Sequence, residues 1–486
     1  MKPISPKSLL LRNKTTKQTI AKNTFWLSLS NILGRLIKAA LIVMAARVLG
    51  TEGYGIFSYA LSASIIIISL VDLGLSTIVA REISYKESAD HRKYISTALI
   101  VKIILIIFGS TFLAITLPLV SSIPEVISLI PLLILLIFFD GVREMIIGIA
   151  KGEEKMEHVA FIQLITTLSV TILGLIALLR LPDSKTLLIS YVAGSAIGLL
   201  YALIWGKKYL YKFWAFFDKS IVKKMLSEAI PFAFLGLLGI IMINTDTLMI
   251  GWLEGATPVG LYAAAQKPIE VLYVIPMILA TAMFPAMSRY AKTNNLIDSG
   301  RLLETMLKYS FIAAAPITIG GIILAKPIIN LLYGSSYLAS VIPFQILLMT
   351  ILIAYPSVII ANAVFSFNKQ SAFTKLLLFG TVANIIFNLL LIPIFSIVGS
   401  AIATILAQIT ANIFIWIKMK SIIQFKILDK MVKPIMAALI MTIGTIAMKY
   451  LGAHYLLNIS ISASIYIATL RLLKEPLLDI KEILRS

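Results

Sequence analysis

Residues 94–117 read YISTALIVKIILIIFGSTFLAITL, an apolar run whose one charge is Lys102. A bilayer-spanning helix needs about 20 mainly apolar residues, and this run exceeds that. Soluble strands and core helices are shorter, and a membrane β-barrel shows short alternating segments instead. Inside lipid the backbone must pair within its own segment, which leaves a helix. The same reading extends outward along the chain. Of 486 residues 59% are hydrophobic and 14% charged, against about 25% charged in ordinary soluble domains. Fourteen spans are expected: α1 24–48, α2 54–80, α3 94–117, α4 125–150, α5 158–180, α6 186–206, α7 228–253, α8 260–288, α9 306–331, α10 340–366, α11 374–396, α12 398–419, α13 432–452 and α14 454–474.

Charge orients these spans. The formal net charge is +20. The basic residues lie between apolar runs, so they point to membrane orientation and not to nucleic acid. With fourteen spans, one set of loops and both termini collect 33 Lys and Arg, and the alternate loops collect 5. Such an asymmetry places both ends in the cytoplasm. One missed helix would scramble it. The basic start (Lys2, Lys7, Arg12, Lys14, Lys17, Lys22) resembles a signal peptide, but the run after it carries Arg35 and Lys38 and reads as an uncleaved first helix. There is no cysteine, hence no disulfide or thiolate site. The three histidines form no HExxH motif and no GxxxxGK[ST] loop is present, so neither an enzyme nor a built-in ATPase is read, and no cofactor is expected.

Two segments repeat. Val48–Ala60 reads VLGTEGYGIFSYA and Leu253–Ala265 reads LEGATPVGLYAAA, with Gly55 matching Gly260. Each closes one helix and opens the next, at α1–α2 and α7–α8. The end of α4 (Ile149-Ala-Lys-Gly) also resembles the end of α10 (Ser366-Phe-Asn-Lys). Six helices is an even number, so two six-helix halves enter the membrane in the same direction, as parallel repeats. The expected organisation is a basic segment 1–23, an N-lobe 24–206, a cytoplasmic loop 207–227, a C-lobe 228–419, and two further helices with the C-terminus in 420–486.

Charges within spans are expensive and mark candidate sites. Arg35 and Lys38 lie one turn apart in α1, which has no acid. They invite an anion, snorkel, or pair with Asp72 or Asp140. Asp140 with Arg143, and Lys267 with Glu270, can pair at i,i+3, as structure or as substrate contacts. Lys102 is expected to snorkel. Asn244-Thr245-Asp246-Thr247 puts four polar side chains in a row in α7, suited to a cation or proton, or to bonds between helices. Asp246, Asp72 and Glu270 are the candidates for coupling to Na⁺ or H⁺. Gly194 and Gly198 in α6 have packing spacing. Interior prolines concentrate in α7–α10, and Pro276 and Pro285 are the expected hinge positions.

Three stretches resemble a known family. Arg47-Val-Leu-Gly-Thr-Glu-Gly-Tyr-Gly-Ile-Phe-Ser-Tyr is similar to the signature that follows the first helix of oligosaccharide flippases. Asp72-Leu-Gly-Leu-Ser with Arg81-Glu82 resembles the end of their second helix. Asn384, Asn388-Leu, Ile392-Pro393 and Val398-Gly-Ser-Ala-Ile-Ala-Thr resemble a later glycine-rich stretch. The family is the Wzx-type polysaccharide flippases of the multidrug/oligosaccharidyl-lipid/polysaccharide exporter superfamily, and the resemblance runs along most of the chain. It implies two six-helix lobes around a central cavity and transfer of a polyprenyl-pyrophosphate-linked oligosaccharide between leaflets by alternating access, with a monomer sufficient. It also implies a basic cavity lining, which Arg35 fits. Lys38, Arg143 and Lys267 are further candidates on positions without a matched motif. The expected partners are that lipid-linked sugar, membrane lipids, and Na⁺ or H⁺. The rivals are a cation-coupled multidrug exporter, a lipid II-type flippase and a membrane scaffold.

Overall fold

The computed structural model describes residues 16–85 and 91–475. Most of them are helical, and no strand occurs among them. Thr16–Asp72 is one helical stretch broken at Gly50, giving α1 (16–49) and α2 (51–72). After these come α3 His91–Val120, α4 Ile130–Gly152, α5 Met156–Arg180, α6 Ser184–Leu210 and α7 Lys219–Glu254. Next, α8 runs through Ala256–Leu272 and Val274–Lys292, followed by α9 Leu296–Ile323 and α10 Val341–Ser366. Gln370–Lys420 is broken at Ser396 into α11 (370–395) and α12 (397–420). Leu428–Tyr450 is α13 and Tyr455–Leu472 is α14. Eleven stretches are long and apolar enough to cross a membrane. Two of these are the broken pairs, and α4 joins them although Asp140, Arg143 and Glu144 make it less apolar. The described residues therefore hold fourteen membrane-length helices, as the loop charges require, in a multi-pass membrane protein.

Helix ends differ from expectation where helices leave the lipid. α7 begins at Lys219 and α9 at Leu296, both earlier than read from hydropathy, because helix continues into the polar loop after the apolar run stops. α2 ends sooner, at Asp72, where Leu73 (φ 42) and Gly74 (φ 71) turn the chain into the short helix Leu75–Ser84.

The repeat is visible in the backbone. Gly50 (φ 69, ψ −177) and Gly255 (φ 89, ψ −165) are equivalent positions in one conformation open to glycine alone. Five residues on, the matched glycines meet. A Cβ on Gly55 would stand 1.9 Å from the carbonyl oxygen of Ala256, and one on Gly260 1.9 Å from that of Thr51. Thr51 and Ala256 are themselves repeat partners, so the contact is reciprocal.

The chain divides into two compact units, Met1–Gly260 and Leu261–Ser486. In the first, α1 lies on α5: Ser30 Oγ bonds Gln163 Oε1 at 3.1 Å, and the Lys22 ammonium meets Glu157 at 2.8 Å in a buried pair. Gly194 and Gly198 let α6 touch α5, where added Cβ atoms would reach Val170 and Thr166 Oγ1. α7 packs on α2, with Gly251 against the Tyr59 ring. In the second unit, an apolar core joins α8, α9, α10 and α12 through Met283, Met287, Leu303, Met306, Ile359 and Met419. α13 and α14 pair through Thr445, whose hydroxyl bonds Ser462 at 2.7 Å, and Ala437, Ala438 and Met441 of α13 pack on Ala315 of α9.

Candidate functional site

In α1, Arg35 is half-buried and Lys38, one turn later, is exposed. The Lys38 ammonium stands 5.8 Å from the ring centroid of Tyr191 in α6. Tyr191 is buried and meets Phe57 of α2 edge-on at 5.0 Å. The aromatic face attracts the cation at that distance.

Two other sets of charges within the helices of the first unit form ion pairs. Lys102 is 1% exposed and its ammonium lies 2.7 Å from Asp72 Oδ1, which also accepts the Ser76 hydroxyl at 2.6 Å. The expectation that Lys102 snorkels is therefore corrected. Its stem lies over Gly141 of α4, where an added Cβ would be 3.7 Å from Lys102 Cε, and a carboxylate waits at its tip.

On α4, Arg143 Nη1 meets Asp140 Oδ1 at 2.6 Å and donates to Ser195 Oγ of α6 at 2.6 Å. The Ser195 hydroxyl in turn donates to Asp140. Two helices thus close a three-membered polar ring whose guanidinium is 11% exposed. In the second unit Lys267 holds Glu270 by both oxygens, at 2.8 and 3.0 Å, with both side chains about one-third exposed. Asp246 is buried, as are Asn244, Thr245 and Thr247 beside it. Asn244 and Thr245 bond carbonyls one turn back. Asn384 and Asn388 of α11 are also buried.

The proline positions resolve differently. α8 is interrupted at Tyr273, between Leu272 and Val274. Pro276 has no N–H to offer the carbonyl four residues back, that of Leu272. That carbonyl accepts the Tyr355 hydroxyl of α10 at 2.8 Å instead. Pro316 does the same in α9: the freed Ile312 carbonyl accepts the Tyr466 hydroxyl of α14 at 3.0 Å. The helix continues through Pro285. Sequence reading missed these tyrosines, although a proline inside a helix leaves the carbonyl four residues earlier without its helical donor.

The model of the polysaccharide biosynthesis protein family matches residues 20–291, more than half of the chain. The chain belongs to that family. A second family model, MatE, matches residues 231–390. The chain is 23% identical over 80% of its length to the probable low-salt glycan biosynthesis flippase of Haloferax volcanii, covering 81% of that protein. It is 21% identical over 81% of its length to a capsular polysaccharide biosynthesis protein of Staphylococcus aureus, covering 98% of it. Among solved structures, the lipid II flippase MurJ in an inward closed conformation matches with a TM-score of 0.76 at 15% identity, over 92% of this chain and 98% of that one. At that identity the likeness establishes the fold.

Proposed function

We propose that this protein turns a polyprenyl-pyrophosphate-linked oligosaccharide from the cytoplasmic to the outer leaflet by alternating access, for cell-surface polysaccharide or glycoconjugate synthesis. The observation that carries this reading is the family match over residues 20–291, a span that contains the intramembrane cations of α1. Its membrane is the cell membrane, with both ends cytoplasmic, as the loop charges support.

Arg35 and Lys38 receive the pyrophosphate in this reading. A guanidinium grips phosphate bidentately and an ammonium acts as a point charge. Arg143 and Lys267 are secondary contacts, since each already holds a carboxylate that a phosphate could replace. An inside-negative potential drives the anion outward by about 2.3 kcal/mol per charge per 100 mV. Pro276 and Pro285 serve as hinges. Asp246, with Asp72 and Glu270, supplies coupling to Na⁺ or H⁺.

The test is flipping of a polyprenyl-pyrophosphate-linked sugar in proteoliposomes. Arg35→Ala abolishes it at near-normal membrane expression, and Arg35→Lys keeps part. Full activity in Arg35→Ala removes Arg35 from the site. Asp246→Asn abolishes ion dependence and leaves substrate binding intact; unchanged ion dependence removes it from coupling. Proteoliposomes that export cationic drugs and leave the lipid-linked sugar unflipped would favour the multidrug reading that the MatE match allows.

A further inference from the structure

Between α6 and α7 the chain reads Tyr211-Lys212-Phe213-Trp214-Ala215-Phe216-Phe217-Asp218. Lys212 takes a left-handed conformation (φ 50) and Phe213–Phe216 form one 3₁₀ turn. Phe213 packs inward against the apolar cluster of Leu75, Ile95, Met145 and Met225. The other rings point out: Tyr211 is 66% exposed, Trp214 67%, Phe217 43% and Phe216 36%. Four large aromatic side chains in seven residues are too many to leave in water.

The segment is tied to the start of α3. The Asp218 amide donates to Thr97 Oγ1 at 3.1 Å, and the Arg92 guanidinium stands 5.7 Å from the Phe216 ring. It thus joins the ends of two membrane helices and touches the start of a third, which holds it at the level of the membrane surface. Aromatic residues gather at that level. Cations surround the rings. Lys207, Lys208, Lys212, Lys219 and Arg92 are all exposed. The ammonium groups of Lys208 and Lys212 stand 4.3 and 5.5 Å from the rings of Tyr209 and Tyr211. The lone acid from 207 to 219 is Asp218, and its Oδ1 is occupied by the amide and hydroxyl of Ser220.

We propose that this segment, with Arg92, is a binding site for anionic phospholipid on the cytoplasmic leaflet. The rings enter the headgroup–acyl boundary, and the lysines and Arg92 take the phosphates. The leaflet assignment rests on the orientation given above; the affinity for anionic lipid does not. Each lysine near an anionic surface strengthens such binding about fivefold, and salt screens the attraction.

The test uses the full-length protein in vesicles of phosphatidylcholine alone or in an equal mixture with phosphatidylglycerol, with acyl chains brominated just below the glycerol. The emission difference between wild type and Trp214→Phe isolates Trp214 from the other four tryptophans. We expect that difference signal to be quenched by brominated lipid and protected from aqueous iodide. Quenching should be deeper in the mixture, and high salt should erase that excess. Replacing Lys207, Lys208, Lys212 and Lys219 by Gln should also erase it, in protein that stays monodisperse. Iodide quenching without bromolipid quenching places Trp214 in water and overturns the proposal. Equal bromolipid quenching in both compositions leaves a plain apolar anchor and overturns the headgroup site.

Discussion

At the scale of single residues, the membrane sets what a charge can do. Lys102 is fully enclosed and Asp72 is its counter-ion at 2.7 Å. Removing one member of a buried pair leaves the other desolvated, at a cost of about 3–5 kcal/mol. Asp72→Asn is therefore expected to lower the unfolding midpoint in detergent sharply. Lys102→Met together with Asp72→Asn should recover most of the loss, because the double variant buries no charge. A thermal shift assay on the four proteins of this cycle decides it. If Asp72→Asn melts with the wild type, the pair is not structural and ion coupling is the role left to Asp72. The ring of Asp140, Arg143 and Ser195 shows the same economy of charge: the guanidinium meets one carboxylate and one hydroxyl, each supplied by α4 or α6.

At the scale of elements, proline and tyrosine work together. Pro276 takes away the donor for the Leu272 carbonyl, and Tyr355 returns one from α10. A hydrogen bond between membrane helices is worth about 0.6 kcal/mol on average and up to about 1.7. Tyr355→Phe should lose an amount in that range. In a Pro276→Ala background the alanine N–H serves the Leu272 carbonyl, so the same tyrosine change should lose almost nothing. Equal losses in both backgrounds, read by thermal unfolding, would show that the bond does not answer to the proline. Straightening α8 also removes a place to bend. Pro276→Ala should slow transport more than it weakens substrate binding, since hinge positions set conformational rates.

At the scale of the whole molecule, orientation can be measured directly. Lys212, Lys426 and Ser335 are all exposed on connections between helices. Single cysteines there, in a chain that has none of its own, should separate cleanly. A membrane-impermeant maleimide should reach positions 212 and 426 from the cytoplasmic side and position 335 from outside. Labelling of position 335 from the cytoplasm would break the fourteen-helix orientation. The repeat can be tested at its contact: Gly55 and Gly260 each face a carbonyl that a methyl group would overlap.

Helix number, the apolar spans and the loop-charge asymmetry were legible in the sequence because lipid is a uniform solvent that demands long apolar helices and places lysines by side. The internal repeat was legible because glycine alone adopts the conformation of Gly50 and Gly255. The short-range pairs Asp140–Arg143 and Lys267–Glu270 were legible too, since i,i+3 spacing puts both groups on one helix face. Hydropathy could not show where α7 and α9 begin, because a helix needs backbone bonds and not grease to continue past the membrane. Nor could it show which helix meets which charge. Lys102 reads alike whether it snorkels or is enclosed, and Tyr355 and Tyr466 carry no local mark of the carbonyls they serve. Those partners lie on other helices, so only tertiary packing decides them.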